Sequence, residues 1–130
     1  MTIMEYIILM SKSLTCHCKK VKLEVELGES LKNLIKCNCS ICIRKGAVMA
    51  IVKSEDIRLI KGKEILKTYQ FHTKVAKHFF CSNCGIYTHH YQRRNPKMVG
   101  INVACLEGKE EINFKQYKLL DGQNHPLDKK

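Results

Sequence analysis

Residues 79–85 read FFCSNCG, in which Cys81 and Cys84 are separated by two residues and followed by glycine. This spacing is typical of a zinc knuckle, because a tight turn brings both sulfurs together and glycine tolerates the backbone that follows. A second pair, Cys16 and Cys18, stands two positions apart, and on an extended chain such side chains share one face. The two pairs together predict a closed four-cysteine site that joins the first strand to a central one.

The use of cysteine in this chain indicates metal binding rather than disulfide bonds. The sequence contains eight cysteines and no secretion signal, and a reducing compartment works against persistent disulfides. A redox role for Cys81 and Cys84 is the competing interpretation, but the βαβ pattern of a thioredoxin motif is missing. Structural zinc binds with a free energy on the order of 10 kcal/mol, so this site could decide whether a small β domain folds.

Length and composition predict one globular domain. The chain has 130 residues, of which 45% are hydrophobic and 27% charged. This is enough for a single core and too short for two ordinary domains. We expect a frayed N-terminal extension over residues 1–13, a single zinc-binding β domain over residues 14–126 and a C-terminal tail over residues 127–130. Met10 is an alternative start to Met1.

Neither a membrane span nor a nucleic-acid footprint is visible in the sequence. The longest uncharged apolar run, residues 6–10, is far shorter than a membrane span, and no basic region with a cleavage site surrounds it. We therefore expect a soluble, cytoplasmic protein. The net charge is +11, but the lysines are scattered rather than gathered in a block, which argues against nucleic acid as a partner. Arg44, Lys45 and Arg94 could serve a small anionic ligand.

The pattern of apolar residues predicts a mainly β fold of short antiparallel strands. Residues 18–27, CKKVKLEVEL, alternate between apolar and charged positions, as a half-buried strand does. Residues 54–60 alone open like a helix, with Ser54 as N-cap and acidic residues in the first turn, and predict a helix of one or two turns. Further runs rich in β-branched and aromatic residues predict strands at 31–37, 46–52, 65–71, 75–81, 86–92 and 98–106.

Three further cysteines, Cys37, Cys39 and Cys42, lie within the stretch KCNCSICIRKG at residues 36–46. Three protein ligands with an open fourth position are the arrangement of a catalytic or exchangeable zinc, whereas structural sites have four. Cys105 is the alternative fourth ligand, which would make both zinc ions structural. It lies in an apolar run that looks like a core strand, where a lone cysteine commonly serves as a small buried hydrophobe.

Taken in order, these motifs resemble those of the glutathione-dependent formaldehyde-activating enzyme family, which also includes centromere protein V. The resemblance runs from about residue 14 to about residue 126 and ends on DGQNHP. Family members often have glycines beside the first C-x-C, where this chain has Thr15 and Lys19, and this difference affects the local turn rather than the ligands. The matching blocks are CHC at 16–18, CNCSICIRKG at 37–46, HFFCSNCGIYTHH at 78–90 and GINVACLEG at 100–108.

The resemblance implies a mainly β, Mss4-like fold stapled by zinc, with one structural and one catalytic metal ion. The implied reaction is that of a carbon–sulfur lyase that forms or cleaves S-hydroxymethylglutathione or a related adduct, with glutathione as co-substrate and formaldehyde as the aldehyde. Seven cysteines are divided between the two zinc ions: Cys16, Cys18, Cys81 and Cys84 for the structural ion, and Cys37, Cys39 and Cys42 for the catalytic ion.

Arg44 and Lys45 directly follow the three catalytic cysteines and are candidates for binding the glutathione carboxylates. His17 lies between two ligands and should face the opposite side of the chain. His89 and His90 are neighbours in a strand, so at most one of them reaches any site.

A non-catalytic, zinc-stabilised binding module for protein or nucleic acid, as centromere protein V suggests, is the alternative function.

Overall fold

The computed structural model describes residues 2, 11–72, 74–108, 112–113 and 115–124. Within these residues the chain forms ten β-strands and one α-helix, so the predicted mainly β, Mss4-like fold with at most one short helix is confirmed. The described residues also include 3₁₀ turns at Ser30–Lys32, Ser54–Asp56, Val103–Cys105 and Gly122–Asn124. The strands and the helix are β1 (Ser11–Thr15), β2 (Lys22–Glu26), β3 (Ile35–Cys37), α1 (Ser40–Lys45), β4 (Met49–Lys53), β5 (Ile57–Lys61), β6 (Leu66–Tyr69), β7 (Lys77–Cys81), β8 (Tyr87–Tyr91), β9 (Met98–Asn102) and β10 (Lys118–Leu120).

The first sheet has three antiparallel strands in the order β1-β2-β5. In the central strand β2, Leu23 and Val25 are buried and alternate with the charged Lys22 and Glu24, as the sequence pattern predicted. Leu23 pairs with a leucine in each neighbouring strand, because the apolar positions of β1 and β5 fall in the same register.

The second sheet has seven strands in the order β10-β3-β4-β9-β8-β7-β6, and it carries the site described below. Neighbouring strands are antiparallel, with the exception of the parallel pair β10 and β3. In that pair Leu120 stands opposite Cys37, and both strands end there. Parallel strands run out of a sheet at the same edge, so the segments that follow β3 and β10 are brought together.

A single core lies between the two sheets. Leu14 and Val25 from the first sheet and Val99 and Ile101 from the second are all fully buried and belong to one cluster. Burial of each such side chain contributes roughly 1.5–3 kcal/mol, so the contact between the sheets is the main apolar contribution to folding.

The helix predicted over residues 54–60 is wrong. Only Ser54–Asp56 form a turn, Lys53 rather than Ser54 stands at its N-cap position, and no side chain caps it. Ile57 and Leu59 continue instead as strand β5, paired with β2. The backbone hydrogen bonds and side-chain contacts offered by β2 outweigh a weak helix-start signal.

Two predicted strands are replaced in part by 3₁₀ turns. Of residues 31–37 only β3 is a strand, since Ser30–Lys32 form a 3₁₀ turn. The strand predicted over residues 98–106 ends at Asn102, whose side chain accepts a hydrogen bond from the backbone N–H of Ala104 at 3.3 Å. Cys105 therefore lies in the following turn and not in a strand.

The expected frayed extension, residues 1–13, lies mostly outside the described residues, but Ser11 to Ser13 belong to strand β1 and pair with β2. The ordered domain thus begins before residue 14. The expected tail over residues 127–130 lies outside the described residues altogether. In the part of the chain that the structure describes, no helix is long and apolar enough to cross a membrane.

Candidate active site

Four thiols from the two sheets meet in one cluster. Cys16 and Cys18 follow β1, Cys81 is the last residue of β7, and Cys84 lies in the turn after it. All four sulfurs lie within 4.8 Å of one another. The two cysteine pairs predicted from the sequence are therefore brought together, and the four-cysteine cluster links the three-stranded sheet to the seven-stranded one.

The four-cysteine cluster fits a tetrahedral metal ion. Sulfurs bound to zinc at about 2.3 Å in tetrahedral geometry stand about 3.8 Å apart. The Sγ atoms of Cys16 and Cys18 are separated by 3.6 Å, and those of Cys18 and Cys81 by 3.7 Å. Burial raises the pKa of Cys16 to about 11, so a thiolate at this position needs a nearby cation. Four thiol donors in a closed tetrahedral arrangement are typical of a structural metal site.

A second group of thiols is formed around the start of helix α1. Cys37 ends β3, Cys39 is the N-cap residue of α1, and Cys42 lies in the first turn, with their sulfurs within 4.8 Å of one another. The backbone N–H of Cys42 donates to Cys39 Sγ, and that of Cys39 donates to Cys37 Sγ, each at 3.5 Å. The first helical turn brings Cys42 next to Cys39, and the end of β3 adds Cys37. These three thiols form the three-cysteine cluster.

Helix α1 was not predicted from the sequence. Cysteine is not among the usual N-cap residues, and six residues are too few to show a helical period. The available signal was Gly46, which adopts the left-handed conformation (φ 63°) and donates its N–H to the carbonyl of Cys42 at 3.0 Å.

The three clustered thiols cannot all ionise without a positive charge between them. Side-chain hydrogen bonds with Cys37 and Cys42 lower the pKa of Cys39, whereas those with Cys37 and Cys39 raise the pKa of Cys42. The pKa of Cys37 is also raised, chiefly by its contact with Cys39. One thiolate is therefore stabilised at the expense of the other two. A divalent metal ion would remove this conflict, so the donor set fits such an ion with three protein ligands.

Cys105 does not join the three-cysteine cluster. Its thiol is buried and donates to the backbone carbonyl of Tyr87 at 3.6 Å. Among the described residues, the groups of sulfurs that could share one ion are the four-cysteine cluster and the three-cysteine cluster, and Cys105 belongs to neither.

The three-cysteine cluster opens onto a cavity of about 1010 Å³. The wall around the thiols combines apolar side chains, which exclude water, with imidazole and guanidinium groups. The apolar part includes Ile35, Ile41, Met49, Phe71 and Leu120, and the basic part includes Arg44, His72, His78, His90, Arg93 and Arg94.

The segment after β10 covers one side of the three-cysteine cluster. A Cβ atom added to Gly122 would lie 2.5 Å from Cys37 Sγ and 2.6 Å from the Cβ of Cys39. Asn38 holds this segment in place: its Nδ2 donates to Asp121 Oδ1 at 3.2 Å, and its Oδ1 accepts from the N–H of Gln123 at 3.0 Å. Gly122 was not identified as a site residue from the sequence, although it lies in the DGQNHP block.

The two basic residues that follow the cysteines point in different directions. Arg44 is exposed on the cavity wall, where its guanidinium donates to the carbonyl of Ser40 at 2.7 Å. Lys45 is half-buried, with its Nζ 2.7 Å from His78 Nδ1 and 3.7 Å from the centre of the Tyr87 ring. The ammonium group of Lys45 thus has two partners inside the protein, and its binding of a ligand carboxylate stays a prediction.

Comparison with known proteins now identifies the family. A sequence model described as "Glutathione-dependent formaldehyde-activating enzyme" matches residues 11–118. The chain belongs to this family. A Rhodobacter sphaeroides protein of known crystal structure is similar to this chain, with 44% sequence identity. The match covers 83% of this chain and 99% of the Rhodobacter sphaeroides chain, and the two structures superpose with a TM-score of 0.78.

In this member of the glutathione-dependent formaldehyde-activating enzyme family, two of the imidazoles that line the cavity are buried, and neither was assigned a role from the sequence. His78 of β7 and His90 of β8 are buried and stacked at 5.2 Å between ring centres. Burial is the main reason why the pKa of His78 is lowered to about 4 and that of His90 to about 3. Both rings are therefore neutral at pH 7. His89 faces the other side of β8, where it stacks on Phe79 at 4.4 Å.

Proposed function

We propose that this protein is a zinc-dependent carbon–sulfur lyase that forms or cleaves S-hydroxymethylglutathione or a related thiol–aldehyde adduct. Family membership supports a glutathione-dependent, formaldehyde-activating type of function. The observation that carries the finer proposal is the three-cysteine cluster, which contains three ligands and faces a cavity large enough for a tripeptide. A closed site with four protein ligands has no position left for a substrate thiol.

The residues of the cluster fit the role of ligands to a zinc ion with one exchangeable position. Cys37, Cys39 and Cys42 would hold the ion, and Gly122 leaves room for their sulfurs on one side. When bound, zinc would supply the positive charge that keeps a neighbouring thiol ionised near neutral pH. The amide groups of Cys39 and Cys42 donate to two of the three sulfurs and thereby offset part of their negative charge.

The guanidinium groups on the cavity wall suit the two carboxylates of glutathione. Arg44 and Arg94 are exposed, and Arg93 lies between Arg94 and the strand that bears His90. A guanidinium can bind a carboxylate through two parallel hydrogen bonds, which fixes orientation as well as charge. We therefore assign carboxylate binding to these arginines and not to Lys45.

In the forward reaction the thiol proton of glutathione passes to water, and the thiolate sulfur forms a bond to the carbonyl carbon of formaldehyde. The π pair of the C=O bond moves onto the oxygen, and the resulting alkoxide takes a proton from water to give the hydroxymethyl group. Cleavage runs through the same steps in reverse. The cavity contributes by holding thiol and aldehyde together, because orientation alone can remove much of the barrier to a bimolecular addition.

The activity can be measured as glutathione-dependent consumption of formaldehyde above the spontaneous rate, followed by NMR of the hydroxymethyl group. We expect zinc-loaded wild-type protein to accelerate adduct formation and Cys39→Ser to reduce the rate to the spontaneous value with the fold intact. Cys105→Ser is the matched control, because this thiol is buried but belongs to neither cluster, and it should keep full metal content and activity.

Two results would reject the lyase proposal. One is a zinc-loaded protein that leaves the spontaneous rate unchanged, and the other is a zinc environment that glutathione never alters. Metal content and glutathione binding should be measured together on wild type and Cys105→Ser. Full metal content without glutathione binding in both proteins would favour a zinc-stabilised binding module instead.

The eight cysteines carry no disulfide, which supports a reducing location such as the cytoplasm.

A further inference from the structure

A group of polar side chains beneath the cavity has no part in the reaction as derived so far. Lys45 at the end of α1 contacts both His78 of β7 and Tyr87 of β8. The hydroxyl of Tyr87 lies 2.6 Å from Nδ1 of His90. Burial of a polar group raises the free energy of the folded state unless the group is hydrogen-bonded. A connected set of buried polar groups next to a reaction site is therefore a candidate for a functional role.

Lys45 determines which nitrogen of His78 carries the proton. Burial lowers the pKa of Lys45 to about 8, so at pH 7 its side chain is still an ammonium group. An ammonium group can only donate, so at this pH the 2.7 Å contact from Lys45 Nζ requires Nδ1 of His78 to be the acceptor. Burial, reinforced by the charge of Lys45, lowers the pKa of His78 to about 4, so the ring is neutral and its single proton sits on Nε2. His90 differs, because a tyrosine hydroxyl can donate or accept and does not fix the tautomer.

The Nε2 atom of His78 is free to interact with a ligand. Every fully buried polar side-chain atom of the described residues has a hydrogen-bond partner. The hydrogen bond of His78 within the described residues is the one at Nδ1, so Nε2 must reach solvent. His78 lines the same cavity as the three-cysteine cluster, so this cavity is the space next to the ring that Nε2 can reach.

The ring of His78 is also held rigidly. It stacks between Phe71, at 5.8 Å, and His90, at 5.2 Å, and its strand is paired on both sides by β6 and β8. A donor that is already oriented stabilises developing charge without reorganisation, which is the property of an oxyanion hole.

We propose that His78 is a catalytic residue that donates a hydrogen bond from Nε2 to the aldehyde oxygen, and that Lys45 is a positioning residue that fixes the tautomer. The inference rests on the lyase function proposed above. As the C–S bond forms, the π pair moves to the aldehyde oxygen, which becomes negatively charged. The Nε2–H of His78 donates a hydrogen bond to this oxygen, and His78 keeps its proton. Water then protonates the oxygen, so no group of the protein is consumed.

The kinetic test compares His78→Leu with His78→Gln, whose side-chain amide can place an N–H near the position of Nε2. Removal of one such donor typically lowers kcat by about 100-fold or more. We expect a loss of this size for His78→Leu, a KM for glutathione within about threefold of wild type because the arginines are untouched, and partial recovery for His78→Gln. His89→Leu is the matched control: it removes a buried, stacked histidine of β8 that faces away from the cavity and should leave kcat unchanged.

The structural part of the proposal has a test that needs no activity. In ¹⁵N NMR spectra of the imidazole groups, His78 of the wild type should show protonated Nε2 and unprotonated Nδ1. Lys45→Met should shift His78 toward the other tautomer, and Lys45→Arg, which retains a donor, should restore the wild-type spectrum.

The two tests separate the possible failures. A wild-type spectrum with protonated Nδ1 overturns the proposal even if the enzyme is active. Equal losses of kcat for His78→Leu and His89→Leu overturn it as well, because the effect would then be structural. If the wild type never accelerates the reaction, the lyase function fails, whereas the tautomer assignment stands or falls on the NMR result alone.

Discussion

At the scale of single residues, Gly122 packs directly against the three-cysteine cluster. A methyl group at this position would overlap Cys37 and Cys39, and overpacking of this kind costs roughly 1–3 kcal/mol. We expect Gly122→Ala to push the C-terminal turn away from the thiols, to lower glutathione affinity and to reduce zinc content toward that of the four-cysteine cluster alone. Elemental analysis and calorimetric titration with glutathione measure both effects.

Gly28→Ala is the matched control for this prediction. Gly28 has a positive φ of 52°, but a Cβ atom added there meets nothing within 4 Å. Its substitution costs backbone strain of about 1 kcal/mol without touching either cluster. Unchanged zinc content in Gly122→Ala, or an equal loss in both variants, would show that the close contact has no role at the site.

At the scale of secondary-structure elements, the site depends on the parallel pairing of β10 with β3. The short strand β10 has three residues, and the turn that follows it is held mainly by the side chain of Asn38. Asn38→Ala removes hydrogen bonds worth about 1 kcal/mol each, so local opening of residues 121–124 should become about tenfold or more frequent.

Hydrogen exchange of the Gln123 amide, which donates to Asn38, measures this opening. Asn95→Ala is a suitable control, because Asn95 accepts a similar hydrogen bond from Lys97 in the loop between β8 and β9. The melting temperature of both variants should stay close to that of wild type. Global rather than local acceleration of exchange in Asn38→Ala would contradict the assignment of Asn38 to this turn.

At the scale of the whole molecule, the four-cysteine cluster joins two sheets that also pack around one apolar core. Structural zinc binds with a free energy on the order of 10 kcal/mol, which is comparable to the total stability of a small domain. We expect Cys81→Ser, or removal of metal by a chelator, to abolish the cooperative thermal unfolding transition. Circular dichroism with parallel measurement of zinc content tests this.

The comparison with Cys39→Ser distinguishes the two clusters. Cys39 is the N-cap residue of helix α1 and clusters with Cys37 and Cys42 of the same short segment, so its substitution should shift the melting temperature by no more than about 5 °C. A Cys39→Ser variant that unfolds as fully as Cys81→Ser would mean that both clusters are structural, and the lyase proposal would then lose its basis.

The sequence by itself predicted the features that depend on local spacing. The alternation in residues 18–27 predicted β2, and the C-x-C and C-x-x-C spacings predicted which thiols share a cluster. These predictions succeed because a strand or a turn fixes the direction of side chains two or three residues apart, whatever the rest of the chain does. The helix expected at residues 54–60 failed because pairing with β2 is a long-range effect.

Only the tertiary structure decided what surrounds the three-cysteine cluster. Gly122 stands beside Cys37 because β10 pairs with β3, and Lys45 reaches His78 because α1 and β7 meet in space. No period or motif encodes these contacts, since strand order and register are set by the burial of both sheets together. The spacing of the cysteines along the chain thus determines which thiols form each cluster, whereas the residues that cover and surround the clusters are set by packing between elements distant in sequence.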